Sequence, residues 1–340
     1  MTIIGTQQIY RTLSQVGLKK NHVRTLLPDW WDDSIASSDT GAWEFVMLIS
    51  RRLSIDAKSL ASGSIVPIGS VSNIAYKHRS AVSDDNYRAG TMIAAALAES
   101  VTAAMYNDFT LTQLDPAFIR SSIQTQNNGV VDFDGLVTFC WNHGIPIIPL
   151  PNLPIGIRRM DGAVFKVNNR PAIIISRKND SKAWLSFILA HEIGHYCLGH
   201  LQEGSSIIDV DLKRETTFQS DASSDQQERE ADRFALNLLS GDKVEAMLLT
   251  WGSRVTGVEL AVNAKRDANI AGASAGHLIL RYAFITSRWV EALTALKFLD
   301  EDFDAQNSLT LELSTRISLK NIAEDLRGLV VSVTGIPDFD

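Results

Sequence analysis

Two histidines four residues apart bracket a glutamate in the run His191-Glu192-Ile193-Gly194-His195. Residues four apart lie on one face of a helix, so both imidazoles can turn toward one metal ion. Glu192 sits beside them, within reach of a water on that ion, where it could act as general base. The chemistry this favours is hydrolysis at a zinc centre. The competing reading is a pair of structural histidines on a helix face. Ile188, Leu189, Ile193 and Leu198 give the segment an apolar flank that would bury both rings. Buried imidazoles need partners, and a metal ion supplies one.

A catalytic zinc takes three protein ligands and keeps one position open. One scheme draws the third ligand from Gly and His soon after the second histidine. Gly199 and His200 each miss that register by one residue, so His200 is expected at the helix end or behind a ligand. The other scheme draws a carboxylate from a later helix. In Gln227-Glu228-Arg229-Glu230-Ala231-Asp232-Arg233-Phe234-Ala235, the residues Glu228, Ala231, Asp232 and Ala235 share one face. The alanines would let this helix approach the histidine helix closely. Glu228 is the expected third ligand and Glu230, pointing roughly opposite, the alternative. Asp232, one turn on, could accept the second N–H of a ligating histidine. Taken alone, this segment reads as a solvated surface helix; the histidine motif is what alters the balance.

The elements that must position these residues can be read from periodicity and punctuation. Ser181 or Asp180 can cap a helix running to His200. Before it come strands over residues 147–150, 162–167 and 171–176, the last two joined by a turn at Asn168-Asn169-Arg170. A helix over 133–143 precedes them, ended by Gly144. Residues 202–225 read as a polar loop, within which 207–212 could be an edge strand available for pairing with an extended peptide. A helix over 226–239 follows, closed by Ser240-Gly241. Upstream, short helices fill residues 6–60, a Ser-rich mixed stretch runs from Ser62 to Asp85, and residues 89–106 form an Ala-rich helix. Downstream, the chain is helical to about Leu299, then passes an acidic run at 300–304 into a tail with strand-like segments at 309–313 and 329–333. The fold class expected is α+β: a mostly helical chain with a small antiparallel or mixed sheet packed on the motif helix. The expected division is a helical segment over 1–62, helix-turn-helix-like or a cap on the rest. A zinc peptidase domain with an N-terminal helical part spans 63–250, and a helical or mixed regulatory region spans 251–340.

With 340 residues, 45% of them hydrophobic and 21% charged, the chain has the composition of a water-soluble globular protein. Its net charge of -7 argues against non-specific nucleic-acid binding by the whole molecule. No apolar run is long enough to span a bilayer, and the start of the sequence lacks the pattern of a signal peptide. Two cysteines, Cys140 and Cys197, make no disulfide framework, so a reducing cytoplasm is expected. Between residues 151 and 190 Arg158, Arg159, Lys166, Arg170, Arg177, Lys178 and Lys182 outnumber Asp161 and Asp180. That balance could meet an acidic partner, or be an ordinary solvated sheet edge.

From Val131 to Leu239 the sequence resembles the ImmA/IrrE family of bacterial and phage metallopeptidases. The resemblance is carried by Gly144-Ile145-Pro146, by the hairpin closing on Ile173-Ile174-Ile175, and by Phe187-Ile188-Leu189-Ala190-His191-Glu192-Ile193-Gly194-His195. Leu198-Gly199-His200 and the stretch from Glu228 to Ala235 continue it. It covers about a third of the chain. It implies a gluzincin-like zinc site of His191, His195 and Glu228. It also implies regulatory cleavage of a helix-turn-helix repressor in stress, DNA-damage or mobile-element responses.

The resulting expectation is a zinc endopeptidase in which Glu192 passes a proton to the leaving amine. No residue is singled out for stabilising the oxyanion: Tyr196, His200, His277 and Tyr282 could serve, though each such residue is more often structural, and Cys197 reads as a small core residue. Two other classes compete: a zinc-bound regulator that holds a repressor or toxin partner without cutting it, and a DNA-binding transcription factor acting through residues 6–60.

Overall fold

The computed structural model describes residues 5–78, 84–112, 114–202, 204–210, 226–299 and 303–338. Four helices open the described chain: α1 (Thr6–Ser14), α2 (Lys20–Leu26), α3 (Asp39–Arg52) and α4 (Ala57–Ala61). Strand β1 (Asn73–His78) follows, then helices α5 (Arg88–Ala104), α6 (Pro116–Gln126) and α7 (Phe133–Asn142). Strands β2 (Ile147–Pro149), β3 (Gly162–Val167) and β4 (Arg170–Ile175) lead into α8 (Lys182–Cys197), β5 (Ser205–Val210) and α9 (Gln226–Ser240). Helices α10 (Val244–Leu249), α11 (Gly257–Ala271), α12 (Ala275–Thr286), α13 (Trp289–Leu296), α14 (Ala305–Arg316) and α15 (Glu324–Thr334) complete it. The fold is α+β, as the patterning predicts.

The five strands form one mixed sheet in the order β1-β5-β3-β4-β2. β3 and β4 are an antiparallel hairpin with Val167 opposite Arg170. Its two-residue turn holds Asn168 and Asn169 at φ of 48° and 64°, the left-handed pair that matches strand twist. β5 runs antiparallel to β3 on one side and parallel to β1 on the other. Strand 207–210 is therefore interior, and the expectation of an edge strand there is corrected. Its pairing groups are engaged on both sides, so it cannot accept a peptide; Asp211 and Leu212 lie outside the described residues. The strand beside it, β1, comes from the Ser-rich stretch and carries no clear alternation, which is why the sequence did not announce it.

Helices α8 and α5 both pack on β3 and β4, whose residues are buried along nearly their whole length. The sheet is thus a middle layer with helices on both faces. α8 is buried all round, from Ala183 to His195, as expected of a central helix. One continuous apolar core includes Ile9, Phe45, Leu97, Phe165, Ile188, Leu238 and Val330. It thereby joins the N-terminal helices, the sheet and the C-terminal pair α14 and α15. A second core gathers α10 to α13 around Leu278 and Tyr282, and reaches α8 through Ala183 and Trp184.

The tail segments expected as strands are helices. Leu309 and Leu313 stand one turn apart on α14, and Leu326, Leu329, Val330 and Val333 make one buried face of α15. That spacing is helical, and the short apolar runs alone could not reveal it. Residues 211–225 of the expected polar loop, and 300–302 of the acidic run, lie outside the described residues. No helix among the described residues is long and apolar enough to cross a membrane.

Candidate metal centre

The site is assembled where α8, α9 and β5 meet. Ser181 caps α8, its hydroxyl accepting from the Trp184 amide at 3.4 Å. At the other end Gly199 takes φ of 73°, and the chain folds back on itself. The His200 amide donates to the His195 carbonyl and the Gly199 amide to the Tyr196 carbonyl, each at 3.0 Å. This is the paired-bond termination that glycine permits, and it lays the His200 ring beside His195. Gly199-His200 thus closes the helix instead of supplying a ligand.

α9 crosses α8 with very little between them. A Cβ on Gly194 would stand 3.2 Å from Phe234 Cβ and 3.3 Å from Ala231 Cα. Glu228, Ala231, Asp232 and Ala235 all fall on the buried face of α9. Glu228 consequently reaches both imidazoles. Its carboxylate oxygens are 3.6 Å from His191 Nε2 and 3.3 Å from His195 Nε2, and the two Nε2 atoms are 3.0 Å apart.

The strand β5 brings a fourth residue that the sequence reading missed. Asp209 Oδ2 lies 3.3 Å from His191 Nε2 and 3.5 Å from His195 Nε2. Together His191, His195, Asp209 and Glu228 form a buried group whose ligand atoms all lie within 4.8 Å of one another, and which could hold a metal ion. The signal available in the sequence was an acid set among Ile207, Ile208 and Val210, where a buried carboxylate needs a partner; Asp211, two residues on, offered the same signal and blurred it.

Partners outside this group hold its rings. Asp232 Oδ1 is 2.9 Å from His191 Nδ1. His200 Nδ1 is 2.9 Å from His195 Nδ1, and its Nε2 is 3.1 Å from Glu230 Oε2. Glu230, the alternative ligand, is therefore not in the group; it stands near the surface behind His200. Tyr196 packs edge-on against Phe109, with ring centroids 5.5 Å apart. His277 Nε2 meets Ser240 Oγ at 3.0 Å and Tyr282 donates to the Gly252 carbonyl at 2.6 Å, both within the second core. Burial pushes the Cys197 thiol up to about 12, so it is not a thiolate.

Glu192 is fully buried, and no hydrogen-bond donor among the described residues reaches either of its carboxylate oxygens. Burial, then the charge of Asp209, holds its carboxyl well above the usual carboxylate range. Burial opposes charge on Asp209 as well, but the two imidazoles outweigh it and hold that carboxyl well below its usual value. Burial likewise disfavours protonated His191, yet Asp209, Asp232 and Glu228 raise it well above the ordinary histidine value. The pocket thus concentrates acceptors that compete for protons in a dry place; a divalent cation satisfies the same demand. Ligand bonds of about 2.0–2.1 Å set tetrahedral donor–donor edges at roughly 3.3 Å, close to the distances between these side chains. The donor set therefore fits a zinc-sized ion.

The basic residues between 151 and 190 are largely occupied. Arg159 donates to the Leu150, Pro151 and Ser176 carbonyls, Arg170 to the Asn107 and Gly144 carbonyls. Arg177 pairs with Asp161 and Lys182 with Asp134.

Comparison with known families points to a peptidase. The sequence model of the family Peptidase U49 matches residues 182–272, a span that contains α8, β5 and α9. No curated protein matches the chain. The family match supports a peptidase, and every member of the buried His, Asp and Glu group lies within the matched span.

Proposed function

We propose that the protein is a zinc-dependent endopeptidase, with His191, His195 and Glu228 among the residues that hold the ion. One observation carries the reading. Glu192, free of hydrogen-bond donors, is buried beside two imidazoles whose Nε2 atoms converge at 3.0 Å. A bound zinc would polarise a scissile carbonyl and acidify a water. Glu192 takes the proton of the attacking water and returns it to the leaving amine. Asp232 and His200 fix the rotation of the two imidazoles so that their Nε2 atoms face inward.

The similarity to ImmA/IrrE peptidases extends the proposal to the substrate: a helix-turn-helix repressor whose cleavage releases gene expression, in the cytoplasm. β5 is paired on both sides, so an extended substrate strand has to be sought elsewhere. β1, which pairs only with β5 among the described residues, is the sheet edge nearest the site. Lys77 on β1 bonds Gln227, the neighbour of Glu228, at 2.8 Å.

Incubation with candidate repressors tests the proposal. Wild type should cut one at a defined bond and Glu192→Gln should not. A stable complex with no cut by wild type would favour the non-cleaving regulator.

A further inference from the structure

The ligand count raises a question that the peptidase reading alone does not answer. Hydrolytic zinc sites keep one position open, whereas sites with four protein ligands are closed and structural. Here four side chains converge, and one of them, Asp209, comes from the middle of a sheet.

We infer that Asp209 is a fourth protein ligand that closes the resting metal centre, so that an outside ligand binds only when the Asp209 carboxylate yields its place or the ion takes a fifth donor. This rests on the reading that the group holds a metal. The geometry treats Asp209 and Glu228 alike. Asp209 approaches the two imidazole nitrogens at 3.3 and 3.5 Å, and Glu228 approaches them at 3.6 and 3.3 Å. Asp209 is 1% exposed, and neither of its oxygens has a hydrogen-bond donor among the described residues. A buried carboxylate so placed faces the cluster centre, with the Glu192 carboxyl beside it.

The backbone around Asp209 cannot withdraw. Asp209 is paired with Gly162 on β3 and with Lys77 on β1, and its carbonyl accepts from the Asp161 amide at 2.9 Å. Only the side chain is free to move, by rotation about its own bonds. Gly162, directly opposite, has no side chain, and Glu192 and Ile188 of α8 fill that space. Asp209 is thus a short ligand anchored on a strand paired on both sides.

Cobalt substitution tests this without reference to peptidase activity. Cobalt-loaded wild type should show a four-coordinate visible spectrum, little response to acetohydroxamate, and no exchangeable water by proton relaxation. Asp209→Ala and the near-isosteric Asp209→Asn should bind acetohydroxamate at least about tenfold more tightly and release the metal to a chelator at least about tenfold faster. If wild type and both variants bind acetohydroxamate alike, or if wild type carries an exchangeable water, the closed centre is overturned while the metal reading stands. If wild type takes up no metal, both fall together.

Discussion

A Cβ placed on Gly162 would stand 2.2 Å from Glu192 Oε1 and 2.7 Å from Ile188 Cγ2. The strand and the helix therefore meet only because residue 162 has no side chain. Glu192 occupies the space that any other residue there would fill.

Gly162→Ala should push the Glu192 carboxylate out of position while leaving the imidazoles alone. Peptide hydrolysis should then fall by about 10²- to 10⁴-fold, the range supplied by a well-placed general base. Zinc content should be unchanged. Activity within twofold of wild type would show that the Glu192 position does not matter.

Gly194 makes the corresponding contact with α9. Gly194→Val should force Phe234 and Ala231 away and cost about 1–3 kcal/mol in stability, as overpacking does. Because Glu228 rides on the same helix, zinc affinity should fall with it. Denaturant unfolding and metal titration on one preparation check both; lost stability with full zinc affinity would separate the two helices from the site.

Much of this site was legible in the sequence, for a physical reason. His191, His195, Glu228 and Asp232 lie on helices, where spacing of three or four residues already decides who shares a face. Glu228 over Glu230 followed from that rule alone. Asp209 was not legible because its place depends on which strands are neighbours, and β5 pairs in parallel with β1, a strand far away in sequence and hidden in a Ser-rich stretch. The same dependence turned an expected edge strand into an interior one. In the tail, Leu309, Leu311 and Leu313 alternate with Thr310 and Glu312 as in a strand, and packing against the shared core chose the helix, burying Leu309 and Leu313 and leaving Leu311 exposed.

The ring supports behind the ligands should be measurable one at a time. Asp232→Ala and His200→Ala should each weaken zinc binding by about 10- to 100-fold, since each frees an imidazole to rotate. Glu230→Ala should do less, because its carboxylate is 40% exposed and acts only through His200. Competition with a chelator of known affinity reads all three; equal affinities throughout would deny these contacts any orienting role.

His277 supplies a test of the second core. Burial, with Arg281 and Arg120 nearby, lowers its value from 6.5 to about 3. Below pH 6.5 the unfolded chain takes up a proton that the folded chain refuses, so stability drops as pH falls toward 3. The contribution is about 1.4 kcal/mol per pH unit in that window. His277→Gln should flatten the pH dependence of urea unfolding between pH 4.5 and 6.5, taken here as a window of roughly two units inside the titration range. An unchanged slope would mean that His277 is charged in the folded protein.

The central claim is that His191, His195 and Glu228 together hold zinc. Metal analysis of purified wild type beside His191→Ala and Glu228→Ala tests it most directly. The account predicts one equivalent of zinc in wild type and its loss from both variants. Wild type without zinc, or both variants retaining it in full, would contradict it.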